Sequence, residues 1–272
     1  MLRQSSPNGR THGAWEVTPS ATYVYCIVSS TQPPTTTNTA APGGVPGTGG
    51  VRALEIRPQR YAIVSDAPLD QFGERPLTKR LADLEWVSSA AVAHEAVIES
   101  FMPQSDAVVP MKLFTLFTTD ARAIDQLRAG WTRIEAVIRR LARHEEWGAR
   151  LVFDVTRAPS ESTPGSASGR GYLLAKRQQR AAAAAHSKKM RRVAGDTLKA
   201  LRPFARDTRQ RAVVTPPDNR SRLLLDAAFL VPRAKAARFR AAAERQAKKI
   251  APAGYALQLT GPWPPYSFVE HA

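Results

Sequence analysis

Lys112 is the one ionisable side chain in the apolar run 107–117, AVVPMKLFTLF. A lysine buried in such surroundings gives up its proton readily and can serve as a base. At a sheet rim, or beside a carboxylate, it is an ordinary cation, and that placement is expected here. His94-Glu95 joins an imidazole to a carboxylate, but adjacent residues on a helix point apart. Ile98 stands one turn on, where a second metal ligand would be needed. A packed, hydrogen-bonded His94 is therefore expected, and the same holds for His186. Gly165-Ser-Ala-Ser-Gly169 carries Ala167 where a nucleophile elbow requires serine. Gly47-Thr-Gly49-Gly50 has neither the leading strand nor the trailing Lys-Ser/Thr of a phosphate-binding loop. The histidines, at 12, 94, 144, 186 and 271, are scattered. The expectation is a protein with no catalytic, metal or cofactor site.

The most distinctive segment is the C-terminal Gly261-Pro-Trp-Pro-Pro-Tyr-Ser-Phe268. Proline has no N–H to donate and favours an extended path, so the ladder is expected to stop here. Trp263, Tyr266 and Phe268, set among Pro262, Pro264 and Pro265, can act as rigid apolar anchors. They can fold back to cap the chain's own sheet or project as a docking epitope. Capping is expected, with Trp263 buried and Tyr266 and Phe268 more exposed.

The elements that must position these residues follow from periodicity. Tyr23 to Val28 is apolar on both faces and reads as a buried strand. Strands are expected over 51–57 and 61–66, joined by a turn at Pro58-Gln59. Leu77, Leu81, Leu84, Ala91, His94, Ile98 and Phe101 lie on one helix face, with Pro76 at its start. Residues 107–117 read as one central strand with Pro110 near its beginning. Thr119-Asp120 opens a helix with an N-cap oxygen and a first-turn acid, and its apolar stripe runs from Ile124 through Trp131 to Leu141. Gly148 is placed just past the end of this helix, before a strand at 149–155. A long Ala-rich basic helix over 172–204 follows, with Met190, Val193, Thr197, Leu201 and Phe204 inward. Strands at 210–215 and 222–231, a helix from Pro232 to Ile250, and a strand from Tyr255 complete the chain.

The charge is as uneven as the pattern. Of 39 Lys/Arg and 23 Asp/Glu, 16 and 15 lie in residues 1–150, whereas 23 and 8 lie in residues 151–272. The second half thus carries nearly the whole surplus of +16, which favours an acidic partner. It has no RNP-type, zinc-finger or GXXG signature, so nucleic acid is not the expected partner. Apolar residues at 43% with 23% charged exclude a wholly disordered chain. No apolar run reaches the ~18–20 residues of a membrane span. The first residues carry no apolar signal region, and Cys26 stands alone, so a cytoplasmic location is expected. The domain reading is a disordered tail over 1–21 and an N-terminal α+β module over 22–157 with a flexible Thr/Pro/Gly insertion at 29–50. A Ser/Gly/Pro linker over 158–171 then leads to a basic module over 172–272.

The tail resembles the C-terminal signature of the gas vesicle protein family GvpL/GvpF. Other segments agree in order: Tyr23-Val-Tyr25, Trp86, His94-Glu95, Val109 to Phe117, Glu146-Trp-Gly148, and Leu224 to Val231. The resemblance runs from about residue 22 to 269. In that pattern many members have Gly where this chain has Phe114, and Asn where it has Asp226. The resemblance implies an α+β fold of two modules, each a small mostly antiparallel sheet packed with helices, at least one of them ferredoxin-like. It also implies a non-enzymatic role in gas vesicle assembly, in the cytoplasm and at the vesicle. The partners implied are the hydrophobic shell protein and other accessory proteins, with no membrane. A basic RNA- or ribosome-associated binding protein is the alternative.

Overall fold

The computed structural model describes residues 19–35, 43–157, 169–213 and 221–269. The expected N-terminal tail lies outside them up to residue 18, and so do most of the linker, 158–168, and residues 214–220, where a turn from Pro216 to Ser221 is expected between the strands at 210–215 and 222–231.

The first sheet is built around β1 (Ser20–Ser29), buried from Ala21 onward. The tail therefore gives way to the strand at residue 20, earlier than expected. A register shift between Val24 and Cys26 sends Tyr23, Tyr25, Cys26 and Val28 to one face, and Val24 and Ile27 to the other. β2 (Arg52–Arg57) and β3 (Arg60–Pro68) form a hairpin whose turn residue Gln59 has φ 62°. The order is β2-β3-β1-β4, all antiparallel.

The expected strand over 107–117 is interrupted. β4 (Ala107–Pro110) and β5 (Leu116–Phe117) both pair with β1, and residues 111–115 form a turn between them. Pro110 ends β4 rather than starting it, and Phe114 takes a left-handed φ of 61°. The left-handed backbone at Phe114 breaks the strand. The expected helix over 76–101 is likewise broken into α1 (Leu69–Phe72), α2 (Glu74–Arg80) and α3 (Leu84–Phe101). Asp83 accepts from the amides of Glu85 and Trp86 and so restarts the helix. Leu84 is consequently 79% exposed and off the core face. α4 (Asp120–Ala129) begins as expected, with Thr119 accepting from the Arg122 amide. Gly130 divides it from α5 (Trp131–Leu141).

The insertion at 29–50 is not free where it is described. Val45 is buried in the core and its amide donates to the Tyr25 hydroxyl, and Gly49 donates to Asp66. An apolar side chain with a burial site pins a segment whatever its Gly/Pro content.

The second sheet begins with β6 (His144–Asp154), whose residues fall within the expected first module, 22–157. Gly148 lies inside this strand, not before it. A Cβ there would meet Thr260 Oγ1 at 2.6 Å, so the glycine permits the close approach of the neighbouring strand. α6 (Gly169–Leu201) claims residues 169–171 of the expected linker. β7 (Asp207–Gln210), β8 (Ser221–Pro232), α7 (Ala236–Ile250) and β9 (Tyr255–Trp263) follow. The sheet order is β7-β8-β6-β9, antiparallel throughout. The βαββαβ succession with this order is ferredoxin-like, and it needs β6 as its first strand.

Each sheet packs helices on one face, α1 to α3 on the first and α6 and α7 on the second. The remaining faces share a third core in which Val24, Ile27 and Val109 join Val137 and Ile138 of α5, Ala228, Leu230 and Phe268. The protein is thus an α+β fold of two antiparallel sheets, each packed with helices. Because β6 precedes the linker and pairs with β8 and β9 after it, one cut within 158–168 is expected not to separate the fragments. A nicked chain should elute as one particle under native conditions and part only in denaturant. Separation without denaturant would contradict the pairing.

Candidate interaction surface

β9 does not stop at its prolines. It runs to Trp263, which pairs with Glu146 across a register shift. Gly261 makes this possible with φ 118°, and a Cβ there would come within 2.8 Å of the Glu146 carbonyl oxygen. Pro264 and Pro265 are buried, and Tyr266–Phe268 closes a single 3-10 turn.

That turn is held by a buried carboxylate. Glu146, 4% exposed, accepts from the Ser267 amide at 2.8 Å, the Ser267 hydroxyl at 2.7 Å and Arg211 Nη2 at 2.9 Å. Arg211 also donates to the Ser267 hydroxyl oxygen at 2.9 Å and to Asp226 at 3.4 Å. Arg150 meets the other Asp226 oxygen at 3.2 Å. Asp226, charged where the resembled pattern has Asn, is thus matched by two guanidiniums. Fastening Ser267 sends Phe268 into the core between the sheets, where it is fully buried. Arg209 covers its ring at 5.4 Å.

Tyr266 is partly exposed as expected, but Trp263 and Phe268 exchange the places expected of them. Phe268 is buried, whereas Trp263 is 41% and Tyr266 36% exposed. The cause is the turn after Pro265, which returns the chain to the sheet interface only after Tyr266. The tail is a fastener at Phe268 and an exposed aromatic surface at Trp263 and Tyr266. Lys112 is exposed in the turn between β4 and β5, and its carbonyl accepts from the Thr115 amide and hydroxyl. The structure does not bury it in a central strand.

His94 is a packed histidine. Its Nδ1 lies 2.8 Å from the Tyr23 hydroxyl and its Nε2 3.2 Å from the Met111 carbonyl. The carbonyl only accepts, so Nε2 carries the proton and Nδ1 accepts from Tyr23. Tyr23 in turn accepts from the Phe114 amide at 3.2 Å. The imidazole thereby holds the 111–115 turn in which Phe114 stacks on Trp86, with centroids 5.3 Å apart. That stack offsets the cost of a left-handed phenylalanine, on the order of 1 kcal/mol. Burial lowers the His94 pKa below the ordinary 6.5. The unfolded chain therefore takes up this proton first, and stability is lost as pH falls through and below 6.5. Glu95 works oppositely, since burial raises it while the neighbouring Tyr266 hydroxyl lowers it. Comparison with His94→Gln isolates the imidazole. Between about pH 7.5 and 5.5 the wild type should lose more thermal stability than the variant. Equal losses would contradict the assignment.

The sequence pattern does not single out Glu146 and Arg211. The available signal was in β6, where Glu146, Gly148 and Arg150 alternate with the core residues Trp147, Ala149 and Leu151. A lone glutamate on such a strand needs partners. Nothing in the sequence showed that these would come from 65 and 121 residues away.

Fold and fastener define a class of protein: two α+β halves, one ferredoxin-like, locked together by the chain's own C-terminal segment. Residues 21–270 match the family described as gas vesicle synthesis protein GvpL/GvpF, and the chain belongs to that family. It is 31% identical over 238 residues to gas vesicle protein L of Streptomyces sp. (strain CB03234), spanning 84% of this chain and 86% of that protein. The fold is also that of the crystal structure of gas vesicle protein GvpF from Anabaena sp. PCC7120, with TM-score 0.67 and 15% identity over 93% of this chain and 97% of that one. GvpF from Microcystis aeruginosa superposes with TM-score 0.62 and 14% identity, over 92% and 99% of the two chains. Among the described residues no helix is long and apolar enough to cross a membrane.

Proposed function

We propose that this protein is a non-enzymatic accessory factor that binds the hydrophobic gas vesicle shell protein, and other accessory proteins, during vesicle assembly in the cytoplasm. Membership of the gas vesicle family supports the setting. The observation that carries the binding reading is the free edge of β9. The second sheet ends at this nine-residue strand, and no described strand pairs with its outer side. The strand terminates in the half-exposed Trp263, with Tyr266 beyond it. An unpaired edge offers a row of backbone donors and acceptors, and an aromatic at its end offers an apolar anchor. A shell subunit whose apolar strand is so occupied is kept from pairing with its own kind until it is placed.

Trp263→Ala tests this reading, because the residue is exposed enough to be removed without unfolding the protein. The expected result is an unchanged melting temperature and loss of shell-protein capture by the purified variant. Undiminished capture by a folded variant would overturn it.

A further inference from the structure

α6 and α7 carry much of the positive charge of the second half. α6 and α7 leave a groove between them with a cavity of about 520 Å3. Its lining includes Val193 of α6 and Ile250 at the end of α7. Lys188, Lys189 and Arg192 from α6 and Lys249 from α7 stand around it. None of the three lysines has an ion-pair partner among the described residues, while Arg192 meets Asp196 at 3.7 Å. A second feature points to a ligand. Tyr255 also lines the groove and is 3% exposed, and its hydroxyl is buried with no hydrogen-bond partner. Such a group is costly to leave unmade, and an acceptor brought from outside would satisfy it.

Cations around an apolar floor, with one donor waiting, fit an amphipathic segment that is acidic on its flanks. The lining positions on α6 run from Ala185 to Asp196, a length of about 16 Å at 1.5 Å per residue, or three turns of a partner helix. A polyanion such as RNA would match the rim but leave the Val193–Ile250 floor uncovered. We propose that the α6–α7 groove binds an acidic amphipathic helix of a partner protein. One large apolar side chain fills the floor, carboxylates meet Lys188, Lys189 and Lys249, and the Tyr255 hydroxyl donates to the incoming chain. The groove touches β9 only at its first residue, Tyr255, at the opposite end of the strand from Trp263, and the proposal goes beyond the shell-protein reading.

The test uses the full chain and a fluorescent 16-residue helical peptide with leucines on one face and glutamates on its flanks. Two control peptides replace either the leucines by serine or the glutamates by lysine. The first peptide should bind and weaken as salt rises, and both controls should bind at least about tenfold less tightly. Lys188→Glu/Lys189→Glu should weaken binding about tenfold or more, since like charges then face each other. Tyr255→Phe should weaken it about threefold to tenfold, with no loss of melting temperature because the hydroxyl has no partner in the free protein. Trp263→Ala should leave it unchanged, so failure here is distinct from failure at the β9 edge. Equal binding of the serine control, or full displacement by a 20-nucleotide RNA, would overturn the proposal in favour of a plain polyanion site. Binding that emerges only after residues 158–168 are replaced by a Gly-Ser segment would also overturn it, since the chain would then occupy its own groove.

Discussion

Phe268→Ala is expected to lower stability by about 3–5 kcal/mol, the usual cost of removing a fully buried phenylalanine from a packed core. In a chain of this size that corresponds to a fall in melting temperature of roughly 10 °C. The size follows from location. Phe268 has no exposed surface, and it shares a core with Val24 and Ile27 of the first sheet and with Ala228 and Leu230 of the second. The cavity left by alanine would open on both sheets and could not be closed by relaxation of one. Arg209, which lies over the ring, would lose its cation–π contact as well. Phe268→Leu, which restores most of the volume, should recover more than half of the loss. Thermal melts of the two variants check this, and an alanine variant as stable as the wild type would show that the tail is not a fastener.

Glu146→Ala is the second large effect, expected at about 2–4 kcal/mol by urea denaturation. The carboxylate is buried and accepts three hydrogen bonds, one from the otherwise unpaired Ser267 amide. Its removal leaves that amide unsatisfied at the turn that delivers Phe268. Arg211 is 45% exposed in its side chain and keeps Asp226, so it returns partly to water. This places the effect below that of a pair buried on both sides. Glu146→Gln retains an acceptor of the same shape and should cost about half as much. Because Glu146 and Phe268 act through one turn, the double variant should be less destabilised than the two losses summed. Full additivity would mean that the carboxylate does not act through the tail.

The elements with a single unbroken period were legible in the sequence. β1, α6, β8 and α7 stand close to where periodicity placed them, and Thr119 caps α4 as its type and position require. The breaks were not legible where they depend on tertiary partners. The 111–115 turn needs His94 and Tyr23 to hold Phe114 at a positive φ, and periodicity carries no record of that. Gly148 could be read equally as a helix stop or as a close approach within a strand, and only Thr260, from β9, decides between them. The same non-locality hid the module boundary. Composition marked residues 158–171 as a linker, but the strand before it completes the sheet after it. For the tail, residue types showed that aromatics would anchor something. Which of them turned inward was settled by the distant Glu146.

The most direct test of the fastener is an amide hydrogen-exchange profile of Phe268→Ala set beside that of Trp263→Ala. Phe268→Ala should raise exchange together at residues 24–27 and 228–230, far apart in sequence and on different sheets. Trp263→Ala should leave both protected. Faster exchange confined to the tail in the Phe268 variant, with both sheets unchanged, would contradict it.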